Sequence, residues 1–355
     1  MTQPSKRILS FDILRVLAAF AVILIHVAAP YVKHASVSSV DFHVGNVFDG
    51  IARFAVPFFL FLSGALLLDE SKPLPPKALV RKGLTLGLLL LIWSILYAIV
   101  YEVGYPLLMH QTVSLRALFL AILGGHYHLW YLFMLLGLYL ITPFLRLFVK
   151  KENASYILGF ILLSLLLCYA VPLADTIAAP LLGEGRIAAF FGKFELSFLG
   201  GYTACYLSGW YLTAIGLSKK QTKALLFLGA LGLAVTLIGN AYLSSDAVKV
   251  YPILYADNSA NVFLYSAALF FLLHNVLAHT ERDTKLWQTL SGLTFGVYLI
   301  HIVLLDAITF AAERLLPPLP ALVGIPLIWL LTTALSFGAV FVLRKIPFLR
   351  KLVRA

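Results

Sequence analysis

Apolar residues gather along the chain in runs of about 18 to 25. That is the length a helix needs to cross a hydrocarbon core of roughly 30 Å at about 1.5 Å per residue. Ten such runs fall at 9–31, 47–69, 84–103, 126–148, 155–173, 195–216, 223–243, 260–279, 290–312 and 322–343. The pattern predicts an all-α polytopic membrane protein of about ten transmembrane helices, built as a single integral-membrane domain over 1–355. The longest connections expected are an outer loop over 174–194 and the inner segment Asp69 to Pro76. No internal repeat of the kind carried by many secondary transporters is visible.

Composition agrees, with 61% hydrophobic and 12% charged residues. Soluble domains average about 25% charged. The first run follows Lys6 and Arg7 and ends in Val27-Ala28-Ala29, as a cleaved secretory signal would. Asp12 and Arg15 inside it favour a retained helix.

The net charge of +11 is informative through its distribution, not its sum, and gives no reason to expect nucleic acid. With the N-terminus inside, nineteen of the 27 basic residues lie in inner segments and six in outer ones; Arg15 and Arg53 lie within spans. The positive-inside rule therefore puts both termini of a multi-pass membrane protein in the cytoplasm. Cys168 and Cys205 each sit in an apolar run as small hydrophobes, and no metal spacing is present.

Charges within hydrocarbon cost at least about 2.5 kcal/mol each at mid-helix, so each asks for a reason. Asp12 and Arg15 are spaced to pair on one face of the first helix. His26 lies eleven residues beyond Arg15, on the same face and about 16 Å further along. Two readings stand: a snorkelling arginine with a packing histidine, or an aligned functional set. Arg53 enters the second helix about 9 Å from its outer end, level with His26. Asp49, four residues earlier, can pair with it, which alone would make an interfacial ion pair. The segment from Pro57 to Ser63-Gly64 predicts a kink and close packing.

His126-Tyr127-His128-Leu129-Trp130-Tyr131 opens the fourth run at the outer interface. An aromatic belt explains Tyr127 and Trp130 but not two histidines, which makes His128 the better functional candidate. Ser291, Thr294, Tyr298 and His301 draw a polar stripe along the ninth run that faces protein or water; helix–helix hydrogen bonding and a substrate cavity are both open. Asp306 is placed to neutralise Arg53 or orient His26.

Asp12-Ile-Leu-Arg15 with His26, Arg53 with Val56-Pro57-Phe58-Phe59 and Ser63-Gly64, His128-Leu-Trp130-Tyr131, and Tyr298-Leu-Ile-His301 together resemble the acyltransferase family 3 membrane proteins. Within that family the chain is most similar to bacterial O-acetyltransferases of surface polysaccharides, including those acting on enterobacterial common antigen. The arginine and histidine with ten residues between them on the first helix are the most specific element. The resemblance implies transfer of an acetyl or related acyl group from acyl-CoA to a sugar hydroxyl, with His26 catalytic and Arg15 supporting donor or active site. Some members of the family carry an additional helix and an extracytoplasmic hydrolase-like domain. A chain ending at Ala355 is expected to complete transfer itself or work with a partner.

The chemistry distributes as follows. His26 is the base, with Arg53, His128 and Tyr298 as further catalytic candidates. Arg15 and Asp12, with the inner-rim Arg81, Lys82 and Arg146, are candidates for acyl-CoA. Ser63, Trp130, Tyr131, His301 and Asp306 line the cavity. Acetyl-CoA is the expected donor, a surface glycan or lipid-linked saccharide the acceptor, and membrane lipids the surroundings; no metal is expected. Direct transfer and an acyl-His26 intermediate remain open. The rival reading is a proton-coupled transporter or lipid flippase, since intramembrane His, Asp and Arg also build proton relays.

Overall fold

A computed structural model describes residues 8–183, 185–194, 199–245, 252–278 and 284–354. The basic residues Lys6, Arg7, Lys249 and Arg282 lie outside these, as does the 195–198 part of the sixth apolar run. The protein is an all-α polytopic membrane protein. Among the described residues there is no strand, and nine helices are long and apolar enough to cross a membrane. The sixth run is represented by a shorter helix, Thr203–Trp210, continued by a π turn over Tyr211–Ile215. Its residues from Ala204 to Leu212 are buried.

Contacts divide the chain into two compact units, Met1–Asp69 with Val149–Ala339, and Glu70–Phe148 with Val340–Ala355. The larger unit is built around α1 (Leu9–His34), which packs on α2 (Val40–Ala52) and α3 (Ala55–Leu67). Leu14, Val16, Ala18, Ala28 and Val32 of α1 are fully buried.

The second apolar run is two helices because of Pro57. A proline has no N–H and its ring clashes with the carbonyl four residues earlier, here that of Arg53. The helix accordingly breaks at Arg53-Phe54 and resumes with Phe58 N–H donating to Phe54 O at 2.9 Å. The polar side chain that needs a partner thus sits at the break. The proline that sequence reading expected to bend this helix interrupts it one turn earlier.

In the smaller unit, α4 (Pro76–Ile99) packs on α5 (Leu115–Gly124) and α6 (Trp130–Phe148), and Trp93 Nε1 donates to the Leu352 carbonyl at 2.8 Å.

Back in the larger unit, α7 (Ala154–Ser164) passes through a π turn into α8 (Val171–Leu182), and α9 (Arg186–Gly192) follows. The outer loop expected at 174–194 is therefore largely helical. The Asp175 carboxylate accepts from the backbone N–H groups of Gly185, Ile187 and Ala188 at 2.8–3.2 Å, which satisfies the start of α9.

The short sixth helix, α10 (Thr203–Trp210), lies backbone to backbone against α3. A Cβ on Gly64 would overlap the Tyr206 carbonyl, and one on Gly209 the Phe61 carbonyl. Small residues permit this approach, as in other membrane helix pairs.

Next come α11 (Lys219–Ala234), opened by a capping box at Ser218 and Gln221, α12 (Ala260–Ala278), α13 (Thr284–Leu315) and α14 (Ala321–Leu343). α11 packs on α12, and both α12 and α13 pack on α1. Trp329 of α14 donates to the Phe20 carbonyl of α1 at 2.9 Å. Large apolar side chains elsewhere, such as Phe227, Leu231 and Ile238, are exposed. Lipid, not water, is the medium that makes such a surface stable.

Candidate active site

Helix α1 carries the ionisable set, and its neighbours supply partners at successive depths. Near its start, Asp12 is 2% exposed and lies 3.8 Å from the Arg15 guanidinium, the pairing its i, i+3 spacing predicts. Arg15 Nη1 donates to Ser291 Oγ of α13 at 3.1 Å. The arginine is thus tied into protein through a hydroxyl of the α13 polar stripe.

Further along, His26 faces His301 of α13, with ring centroids 5.3 Å apart. His301 is fully buried, and its Nδ1 meets the carbonyls of Tyr298 at 2.8 Å and Val297 at 3.1 Å. A nitrogen facing two carbonyl oxygens must carry the proton, so in the neutral ring Nε2 is the acceptor. Between the two levels, Ala19, Ile23, Phe59, Tyr298 and His301 line a narrow cleft. The stripe of Ser291, Thr294, Tyr298 and His301 therefore faces α1. Ser291 and Thr294 are buried, and Tyr298 is half-buried.

Arg53 is held at the same depth. The cluster of Ala21, Ala52 and Ala55, with Leu24, Ile25 and Phe54 packed on it, puts the helix break within about one turn of His26. Asp49 grips Nη2 of Arg53 at 2.7 and 2.9 Å, Nη1 donates to the Tyr255 carbonyl at 3.3 Å, and the guanidinium lies 4.7 Å from the Tyr255 ring centroid. Its buried Nε has no hydrogen-bond partner among the described residues. A second carboxylate, Asp257, acts on Arg53 electrostatically.

Tyr255 is itself fixed by a buried polar network. Its hydroxyl bonds Asn46 Oδ1, and Asn240 Nδ2 donates to Asn46 Oδ1 at 2.9 Å and to Tyr255 Oη at 3.2 Å. Asn261 Nδ2 donates to Thr236 Oγ1 and the Leu254 carbonyl. In a membrane interior each of these amides needs such a partner.

The other expected residues are placed as follows. Asp306 is exposed near the far end of α13, and the carboxylates acting on Arg53 are Asp49 and Asp257. Ser63 is half-buried on α3. His128, Trp130, Tyr131, Arg81, Lys82 and Arg146 all belong to the smaller unit. There His128 is 2% exposed, shares an Nδ1–Nδ1 hydrogen bond of 2.9 Å with His126, and meets Tyr97 edge-on. His126 stacks on Tyr97 and Tyr101. Trp130 is exposed and Tyr131 half-buried. Arg81 and Lys82 are exposed, whereas Arg146 donates to the Lys72 carbonyl at 2.7 Å.

Sequence reading missed Asp257, Tyr255, Asn46, Asn240 and Asn261. An amide within an apolar run is a signal that could have raised the asparagines. Nothing local marks Asp257 and Tyr255.

Residues 8–345 match the pattern of a family described as an acyltransferase domain. The chain belongs to acyltransferase family 3. Comparisons with curated proteins and with solved structures gave no match. The family match runs from the start of α1 to just beyond α14 and so takes in both compact units. It makes the protein a membrane acyltransferase.

Proposed function

We propose that this acyltransferase moves an acetyl or related acyl group from cytoplasmic acyl-CoA to a hydroxyl of a cell-surface glycan or its lipid-linked precursor, in a bacterial inner membrane. The observation that carries the reading is the pairing of His26 with His301 on the helix that also holds Arg15. The lone pair of neutral His26 takes the proton of the acceptor hydroxyl as its oxygen attacks the thioester carbonyl, and returns it to the leaving thiolate. His301, its Nδ1 committed to backbone carbonyls, sets the ring environment of His26. The Nε–H of Arg53 is a buried donor that meets no hydrogen-bond acceptor among the described residues, and it is available to a developing oxyanion or a sugar oxygen. Tyr298 is a further donor on the cleft.

The charged end of the donor stays at the inner rim, because phosphates do not enter hydrocarbon. Arg15, with Asp12 beside it, stands between that rim and His26, about 16 Å short of His26 along α1. The acyl arm spans the difference.

The test is reconstitution. Purified protein in liposomes receives radiolabelled acetyl-CoA and a cell-envelope glycan extract. Alkali-labile label on the glycan is the expected result, and substrate movement without any acyl-CoA would instead support a transporter.

A further inference from the structure

A cavity of about 500 Å³ opens in the larger unit, away from His26, where the end of α10, the start of α11 and the end of α12 meet. Its size falls in the range of small-molecule sites, about 300–1,000 Å³. The π turn after α10 ends at Gly216, whose φ of +76° turns the chain along the cavity wall. Tyr211 and Phe271 bring aromatic side chains to the wall, and His274 lines it while packed against Phe270.

Two carboxamides stand on the wall, Gln221 and Asn275. Gln221 Oε1 accepts from the Ser218 N–H at 2.9 Å, which leaves its NH₂ and one lone pair to offer. Asn275 Nδ2 spends one of its two N–H groups on the Phe271 carbonyl at 2.7 Å, which leaves Oδ1 and the second N–H to offer. Amide donors and acceptors beside aromatic side chains suit the edge of adenine, which pairs an amino donor with a ring-nitrogen acceptor, a combination that one carboxamide can meet by itself. Lys219 and Lys220 follow directly on the cavity residue Ser218, Lys223 comes two positions after Gln221, and all three are exposed cations suited to phosphates. A lipid headgroup would use the lysines but neither the amide pair nor the aromatic walls.

The cavity is also tied to the catalytic helix. His274 Nδ1 hydrogen-bonds Ser10 Oγ of α1 at 2.9 Å, and His274 stacks against Phe270 and lies beside Phe11. From Ser10, α1 leads past Arg15 to His26 over about 24 Å.

We infer that this cavity binds the phosphorylated adenosine end of the acyl-CoA donor, with the pantetheine arm running along α1 toward His26. The inference rests on the acyl-CoA reading above, and it assigns the nucleotide to Lys219, Lys220 and Lys223 in place of Arg81, Lys82 and Arg146.

The test is equilibrium binding of two probes, coenzyme A and adenosine 3′,5′-bisphosphate, to full-length protein in nanodiscs. Both bind the wild type, and the bisphosphate displaces coenzyme A. Asn275→Trp, which fills the cavity from an exposed position, weakens both probes tenfold or more. Replacing Lys219, Lys220 and Lys223 together by Gln weakens both and flattens their salt dependence. The lysine variant is confined to exposed side chains and covers the case in which the Trp variant misfolds. Wild-type affinities in either variant, at an unchanged thermal midpoint, overturn the assignment. Should coenzyme A bind while the bisphosphate neither binds nor displaces it, the cavity is wrong and the acyl-CoA reading stands. Failure of coenzyme A itself to bind overturns both.

Discussion

Exchange of His26 for Gln separates a base from a packing residue, and His301 supplies the control. Glutamine keeps a hydrogen-bonding amide of similar reach but cannot take and return a proton. A general base contributes about 10²–10⁴-fold, equivalent to about 3–5 kcal/mol of barrier. His26→Gln is therefore expected to lose at least about a hundredfold in kcat. His301 sits with its ring centroid 5.3 Å from that of His26 and spends its Nδ1 on two carbonyls of its own helix. It acts through His26, so His301→Gln should cost less, about tenfold, the scale of one modest hydrogen-bond or orientation effect of about 1.4 kcal/mol. In the double variant the losses should not add, because a mispositioned base that is already absent has nothing further to lose. The assay is acetyl transfer to glycan in liposomes at matched protein levels, with thermal midpoints measured beside it. Retention of half the wild-type rate by His26→Gln, or strictly additive losses in the double variant, would refute the reasoning.

Three further outcomes follow from other parts of the molecule. Asp49→Leu leaves the buried Arg53 without its bidentate partner and should destabilise the protein by about 3–5 kcal/mol, whereas adding Arg53→Leu should recover much of that, read as the thermal midpoint in detergent. Gly64→Val forces α3 off the Tyr206 carbonyl and should cost about 1–3 kcal/mol or more, while Gly137→Val, whose Cβ meets no neighbouring atom among the described residues, should be tolerated in the same assay. Single cysteines at Ser38 and Lys220, in a background lacking Cys168 and Cys205, should react with an impermeant maleimide from opposite sides; labelling of Lys220→Cys in intact spheroplasts would invert the orientation.

The amino-acid sequence by itself determined where the helices run and which of them hold unusual groups. Both are local properties: a span is a length of apolar chain, and an ionisable residue inside it is costly wherever the helix points. Asp12 with Arg15, Asp49 with Arg53, and the α13 stripe were legible for the same reason, since helical spacing alone puts those residues on one face. Even the break at Arg53 is written in the chain, four residues before Pro57.

What only the tertiary structure decided is which face meets which. A helix such as α14 or α3 is apolar on all sides, so no period in its sequence tells lipid from protein. The pairing of His26 with His301, the arrival of Asp257 and Tyr255 at Arg53, and the bond from Ser10 to His274 each join residues more than two hundred positions apart. They depend on the rotation of whole helices, which is set by packing details such as the contact of Gly64 and Gly209 between α3 and α10. The cavity has the same origin: its walls come from the ends of α10, α11 and α12, and no one of them carries a motif that would announce it.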